Sequence, residues 1–140
     1  MKNEIRDPEL ESRLTELDPP YESKDELKIG RMLDQYGIPF FYKQATIIYD
    51  QGKNEIQKPS FTLYPYGGLV IEYVAGSGEE QKDELLRREQ MYRYNQIPAV
   101  LFGPKDLAEP NWQDVLYKRI QQAYQQEFDS MQYAPEPVEK

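Results

Sequence analysis

The chain of 140 residues contains neither cysteine nor histidine. These two absences exclude disulfide bonds, thiolate nucleophiles, zinc sites of the Cys/His type and an imidazole general base. Any chemistry must use carboxylates, hydroxyls, lysine, arginine or tyrosine. No stretch approaches the roughly 18 to 20 apolar residues of a membrane span, and the opening MKNEIRDPEL lacks the apolar core of a signal peptide. We therefore expect a cytoplasmic protein with no membrane segment.

Positive charge is also scarce, with 17 Lys and Arg against 25 Asp and Glu, for a net charge of -8. Long-range attraction to nucleic-acid phosphates is weak or repulsive at this balance, so the charge does not favour nucleic acid as a partner and is most simply a solubility feature. Aromatic residues are abundant by contrast, with 12 Tyr, 5 Phe and one Trp. They either seal the edges of a small core or form a surface for a protein partner or for self-association.

Helix caps and apolar spacing predict four helices. The first covers residues 7–17, with Leu10, Leu14 and Leu17 on one face, and this face covers its own domain or docks onto a second copy. The capping-box pattern Ser23-Lys24-Asp25-Glu26 opens the second, which ends at Gly37. The other two are predicted over residues 79–94 and 111–126.

Strand-like runs occupy most of the segment between the second and third helices. The predicted strands span residues 38–42, 45–49, 59–64, 69–74 and, after the third helix, 97–102. The continuous apolar run Leu69-Val70-Ile71 predicts a central strand. Tight turns require antiparallel pairs, whereas a helix between two strands permits a parallel pair, so the fold class is α+β with a mixed sheet flanked by helices.

This order of elements resembles the PD-(D/E)xK nuclease superfamily, whose restriction-endonuclease-like fold has an αβββαβ core. The likeness covers about residues 21–107 and rests on Glu26 in the first helix, Pro59-Ser60, the turn Tyr66-Gly67-Gly68, and Val70-Ile71-Glu72-Tyr73. Arg88, Tyr92, Asn95 and Ile97 are similar to the end of the next helix in small members. We expect a domain over residues 21–128 that contains this likeness, an N-terminal helical extension over 1–20 and a loose tail over 129–140, which includes Pro135 and Pro137.

The resemblance also implies a set of site positions, namely Glu26, Ser60, Glu72 and Arg88. Family members hold Mg²⁺ or Mn²⁺ with carboxylates, which suit hard cations. In this chain Ser60 stands where the family has an aspartate, and Val74 stands where it has a lysine. Both departures remove charge from the site.

Each of these positions also has a simpler interpretation. Glu26 is equally well explained as the acid of its capping box. Glu72 lies either in a pocket or ion pair or at a solvent-facing strand end. Ser60 is most simply a strand residue bonded locally, and Arg88 a residue of a solvated helix face paired with Glu84 or Glu89.

The sequence therefore leaves three hypotheses open. The first, which we favour, is a nuclease-fold domain without catalytic activity that acts as a binding or structural module and needs no cofactor. The second is a nuclease for DNA or RNA with a rearranged site, in which Glu26 and Glu72 hold Mg²⁺ or Mn²⁺ and Arg88 supplies a cation. The third is a sheet protein unrelated to nucleases.

Overall fold

The structure is a computed structural model that describes the backbone of residues 19–132 and the side chains as far as residue 126. The predicted helix over residues 7–17 and the tail beyond residue 132 lie outside the described residues. Within the described part, no helix is long and apolar enough to cross a membrane.

Four α-helices are present in the described residues: α1 (Lys24–Gln35), α2 (Gly78–Tyr94), the short α3 (Pro104–Leu107) and α4 (Trp112–Gln132). The helices predicted after Ser23 and over residues 79–94 are confirmed. The last helix continues past its predicted end at 126, to Gln132. No proline or glycine interrupts the chain there.

Six strands are present among the described residues: β1 (Phe41–Tyr42), β2 (Thr46–Asp50), β3 (Lys53–Gln57), β4 (Phe61–Leu63), β5 (Leu69–Tyr73) and β6 (Ala99–Phe102). Four of them form a sheet in the order β1-β4-β5-β6. β5 is antiparallel to β4 and parallel to β6, and β4 is antiparallel to β1. The predicted mixed sheet, the central place of β5 and the α+β class are therefore confirmed.

The strands differ from the prediction in two places: one strand was missed and one is shorter than predicted. β3 was not predicted, because its sequence KNEIQ is mostly polar; it forms by pairing with β2 in a separate two-stranded hairpin. The strand predicted over residues 38–42 shrinks to Phe41–Tyr42. Ile38 instead bonds back to the end of α1, where its N–H donates to the Leu33 carbonyl at 2.9 Å, and Pro39 has no N–H for a ladder.

The sheet separates two apolar cores. On one face, Leu69 and Ile71 of β5 pack with buried side chains of α1 and α4, among them Ile29 and Leu116. On the other face a smaller cluster contains Ile48, Val70, Met91 and Tyr92, which come from the hairpin, β5 and α2. Because side chains alternate along a strand, Glu72 leaves β5 on the same side as Val70, toward α2.

Candidate functional site

Glu26 lies in the first turn of α1 with its carboxylate turned inward. The Ser23 hydroxyl accepts a hydrogen bond from the Glu26 N–H at 3.1 Å, so the predicted helix start is confirmed. The carboxylate itself is buried, with 4% of the residue exposed, and accepts hydrogen bonds from the Tyr42 and Ser60 hydroxyls. The interpretation of Glu26 as only the acid of a capping box is therefore wrong.

Ser60 connects the two predicted carboxylates. Its Oγ lies 3.4 Å from Glu26 Oε2 and 3.5 Å from Glu72 Oε1, and it accepts a hydrogen bond from the Tyr73 N–H at 3.0 Å. The Ser60 N–H also donates to Glu72 Oε1, at 3.3 Å. Since a hydroxyl has a single proton, it can fully serve one carboxylate at a time. The three residues nevertheless meet at one buried point, as the resemblance implies.

Glu72 forms a buried ion pair. Only 4% of the residue is exposed, so the alternative of a solvent-facing strand end is wrong. The Tyr92 hydroxyl donates to Glu72 Oε2 at 2.6 Å, and Arg88 Nη1 lies 3.3 Å from Oε1. Arg88 also bonds Glu84 at 2.5 Å, so the predicted pairing with Glu84 and the predicted place beside Glu72 both hold.

Lys43 also belongs to the site, although no motif or spacing pattern in the sequence pointed to it. Its ammonium lies 3.5 Å from Glu26 Oε2 and 3.4 Å from Glu22 Oε1. The backbone of Lys43 adopts φ 57°, in the left-handed region, which costs a residue with a Cβ about 1 to 2 kcal/mol. This conformation follows directly after β1, where the Lys43 N–H donates to the Ser60 carbonyl at 3.1 Å. This left-handed turn positions the Lys43 ammonium beside the Glu26 carboxylate.

Three tyrosines enclose these carboxylates. Tyr42 donates to Glu26, Tyr73 to Asp25 and Tyr92 to Glu72. Burial is the main cause that raises the pKa of all three phenols above 10, and the hydrogen bonds and negative charge of the carboxylates raise it further. All three are therefore protonated donors at neutral pH, and each removes an acceptor oxygen from solvent.

The raised phenol pKa values predict a loss of stability in alkali. A phenol whose folded pKa lies above its unfolded value of 10.0 stabilises the fold at lower pH, and this contribution is lost as pH rises above 10. For Tyr92 alone we expect the free energy of unfolding to fall by about 1.4 kcal/mol per pH unit above pH 10. Denaturant unfolding at several alkaline pH values measures this slope.

The matched variant for this prediction is Tyr92→Phe, which keeps the ring and removes the titrating group. We expect the variant to be less stable than the wild type at pH 8 and to lose stability less steeply above pH 10. An identical slope in the two proteins would contradict the assignment of the alkaline loss to Tyr92.

A cleft of about 320 Å³ opens beside this group, next to the start of α2. Arg88, Tyr73 and Val74 line it, together with residues of the turn before α2, whereas Glu26, Ser60 and Glu72 do not. Val74, at the lysine position of the family pattern, has 5% exposure and presents only aliphatic surface. The acids that line the cleft are Glu80 and Glu84, so the predicted site acids Glu26 and Glu72 do not reach it.

The donor set does not fit a hydrolytic divalent ion. Two carboxylates and a neutral hydroxyl converge, and each carboxylate already faces a cationic side chain, Lys43 or Arg88. Across residues 19–132, no group of three or more Asp, Glu, His or Cys residues is placed to hold a metal. The Mg²⁺ or Mn²⁺ site of Glu26 and Glu72 implied by the resemblance is thus short of both charge and ligands.

Comparison with protein-family models, curated proteins and solved structures found no match. The resemblance to PD-(D/E)xK nucleases therefore rests on the residues of this chain alone and stays a prediction.

Proposed function

We propose that residues 21–128 form a restriction-endonuclease-like domain that is not a nuclease and acts as a binding or structural module. The observation that carries this proposal is the pairing of each buried acid with a cation of the chain itself. Glu26 has Lys43 at 3.5 Å, and Glu72 has Arg88 at 3.3 Å. Each cation is shared with a second acid, Lys43 with Glu22 at 3.4 Å and Arg88 with Glu84 at 2.5 Å.

A cationic side chain beside each buried acid makes the site a poor place for an additional cation. A divalent ion would have to approach Lys43 and Arg88 closely, and charges of the same sign repel strongly where water is largely excluded. Ser60 and Val74, the two residues that differ from the family pattern, add no negative charge to offset that repulsion. The cations of the chain itself already pair with the acids, which supports a structural role for these positions.

The second candidate is a metal-dependent nuclease that acts on DNA or RNA and uses Glu26, Glu72 and Arg88. One observation favours it: both carboxylates lie within 3.5 Å of the same Ser60 Oγ, so two acids from different elements share one small space. The network beside them would have to open before the acids could bind a metal ion.

Manganese binding and strand cleavage distinguish the two candidates. We expect calorimetric titration with Mn²⁺ to show no saturable binding, and we expect no cleavage of single-stranded DNA, duplex DNA or RNA. Glu72→Gln, purified in parallel, is the control for a contaminating nuclease. Cleavage by the wild type that requires Mn²⁺, stops with a chelator and is lost in Glu72→Gln would contradict the proposal and support the nuclease.

A further inference from the structure

The outer edge of β6 is open in the described residues. β6 pairs with β5 on one side only, and no strand among residues 19–132 pairs with its other side. The Val70 N–H donates to the Pro98 carbonyl and the Val74 N–H to the Phe102 carbonyl, both at 2.9 Å. Since backbone groups alternate along a strand, those of Ala99 point away from β5, toward the open edge. Leu101 faces the same side, but its carbonyl already accepts a hydrogen bond from Arg119 at 2.7 Å, so the edge is only partly open to another strand.

A groove of about 480 Å³ runs along this edge. Its floor contains Ala99 and Leu101 of β6, and one wall is a stripe of α2 made of Lys82, Leu85, Leu86 and Glu89. Leu86 is 52% exposed. This helix therefore buries Met91 and Tyr92 under the sheet and leaves Leu86 uncovered.

The far wall of the groove is electrically neutral. Arg119 of α4 donates from Nη2 to the Leu101 carbonyl at 2.7 Å and lies 3.8 Å from Asp106. The groove thus contains two cations and two anions in a chain whose net charge is -8. Two copies of an acidic chain repel least where their facing surfaces carry balanced charge.

The stripe on α2 is complementary to itself. Lys82 stands three positions before Leu85, and Glu89 stands three positions after Leu86. If two copies of α2 cross antiparallel with the twofold axis between Leu85 and Leu86, each Lys82 faces the Glu89 of the other copy. The same axis brings Leu85 of each copy against Leu86 of the other. A twofold interface uses one patch on both subunits in this way.

We propose that this groove is the interface of a homodimer, in which the stripe of α2 meets its counterpart in a second copy. The proposal goes beyond the proposed function by naming the partner. It does not depend on whether the domain binds a metal ion or cleaves nucleic acid. The dimer and the proposed function can therefore fail separately, because different experiments test them.

Charge reversal across the twofold axis tests the proposed dimer. Lys82→Glu places two acids opposite each other at both contacts, and Glu89→Lys places two lysines there. We expect each variant alone to have a dimer dissociation constant at least about tenfold above that of the wild type. An equimolar mixture restores both Lys-Glu contacts in a heterodimer, so we expect it to dimerise like the wild type. Sedimentation velocity over a concentration series measures all four samples.

The matched control is Lys118→Glu on α4. Lys118 is as exposed as Lys82, at 68% against 70%, and each pairs with an acid of its own helix. This variant makes the same charge change outside the groove, and we expect it to dimerise like the wild type. A wild type that is monomeric at every concentration would overturn the proposal. So would single variants with the dissociation constant of the wild type, or an equimolar mixture that dimerises no more tightly than the separate variants. Far-UV circular dichroism verifies that the variants are folded.

Discussion

Replacing Glu72 by alanine should lower the free energy of unfolding by about 3 kcal/mol at pH 7. The substitution leaves Arg88 without its buried partner and the Tyr92 hydroxyl, on a residue only 1% exposed, without an acceptor. It also removes the acceptor of the Ser60 N–H. Losing one partner of a buried polar pair costs the desolvation of the group that remains. Denaturant unfolding of both proteins measures the difference.

Glu84→Ala is the matched control because Glu84 pairs with the same Arg88. The Glu84 side chain is 33% exposed, against 6% for that of Glu72. Bonds from Arg87 and Arg88 hold the pKa of Glu84 below its ordinary value, but water screens this pair, and we expect a loss below about 1 kcal/mol. If Glu72→Ala were neutral or stabilising, Glu72 would be a strained acid retained from a functional site, and the structural role would be wrong.

Replacing Ser60 by aspartate should make the stability of the protein depend on divalent metal. The residue is 1% exposed and lies within 3.5 Å of two carboxylates, so a third acid there should cost about 3 kcal/mol or more in the presence of a chelator. The same three acids together have the charge that Mg²⁺ or Mn²⁺ prefers. Saturating Mn²⁺, at a hundred times its dissociation constant, should return about 2.7 kcal/mol.

Ser60→Asn is the control for this prediction, since asparagine has the size of aspartate without its charge. We expect it to lose stability through crowding and to gain nothing from Mn²⁺. Thermal unfolding of the wild type and the two variants, with chelator and with Mn²⁺, gives the comparison. An equal response of the aspartate and asparagine variants would contradict the likeness between this site and a nuclease metal site.

The sequence predicted the parts of the fold that have strong local signals. The Ser23 cap defines the start of α1, and the apolar run from Leu69 to Ile71 gives β5 its central place. The polar strand β3 has no such signal, because its register comes from the pairing of Ile47 with Ile56 and of Asp50 with Lys53 across the turn. Long-range pairing of this kind leaves little trace in local composition.

The site could be predicted only in part for the same reason. The resemblance identified Glu26, Ser60, Glu72 and Arg88, and the structure brings all four together. Lys43 escaped prediction because its role depends on a left-handed backbone at the end of β1, and lysine in a turn ordinarily indicates only a solvated surface. The sequence also left open whether Glu72 was buried in a pair or exposed, since burial depends on Tyr92 and Arg88 one helix away.

The link between Glu26 and Glu72 has a mechanical consequence for the whole domain. Glu26 belongs to the helix that covers one face of the sheet, whereas Arg88 and Tyr92 belong to the helix on the opposite face. Ser60 and Glu72 connect these two helices across the sheet, because Ser60 bonds Glu26 on one side and Glu72 bonds Arg88 and Tyr92 on the other. Neither helix can detach from the sheet without leaving a buried charge unpaired. We therefore expect the two helical layers to unfold together in one cooperative transition.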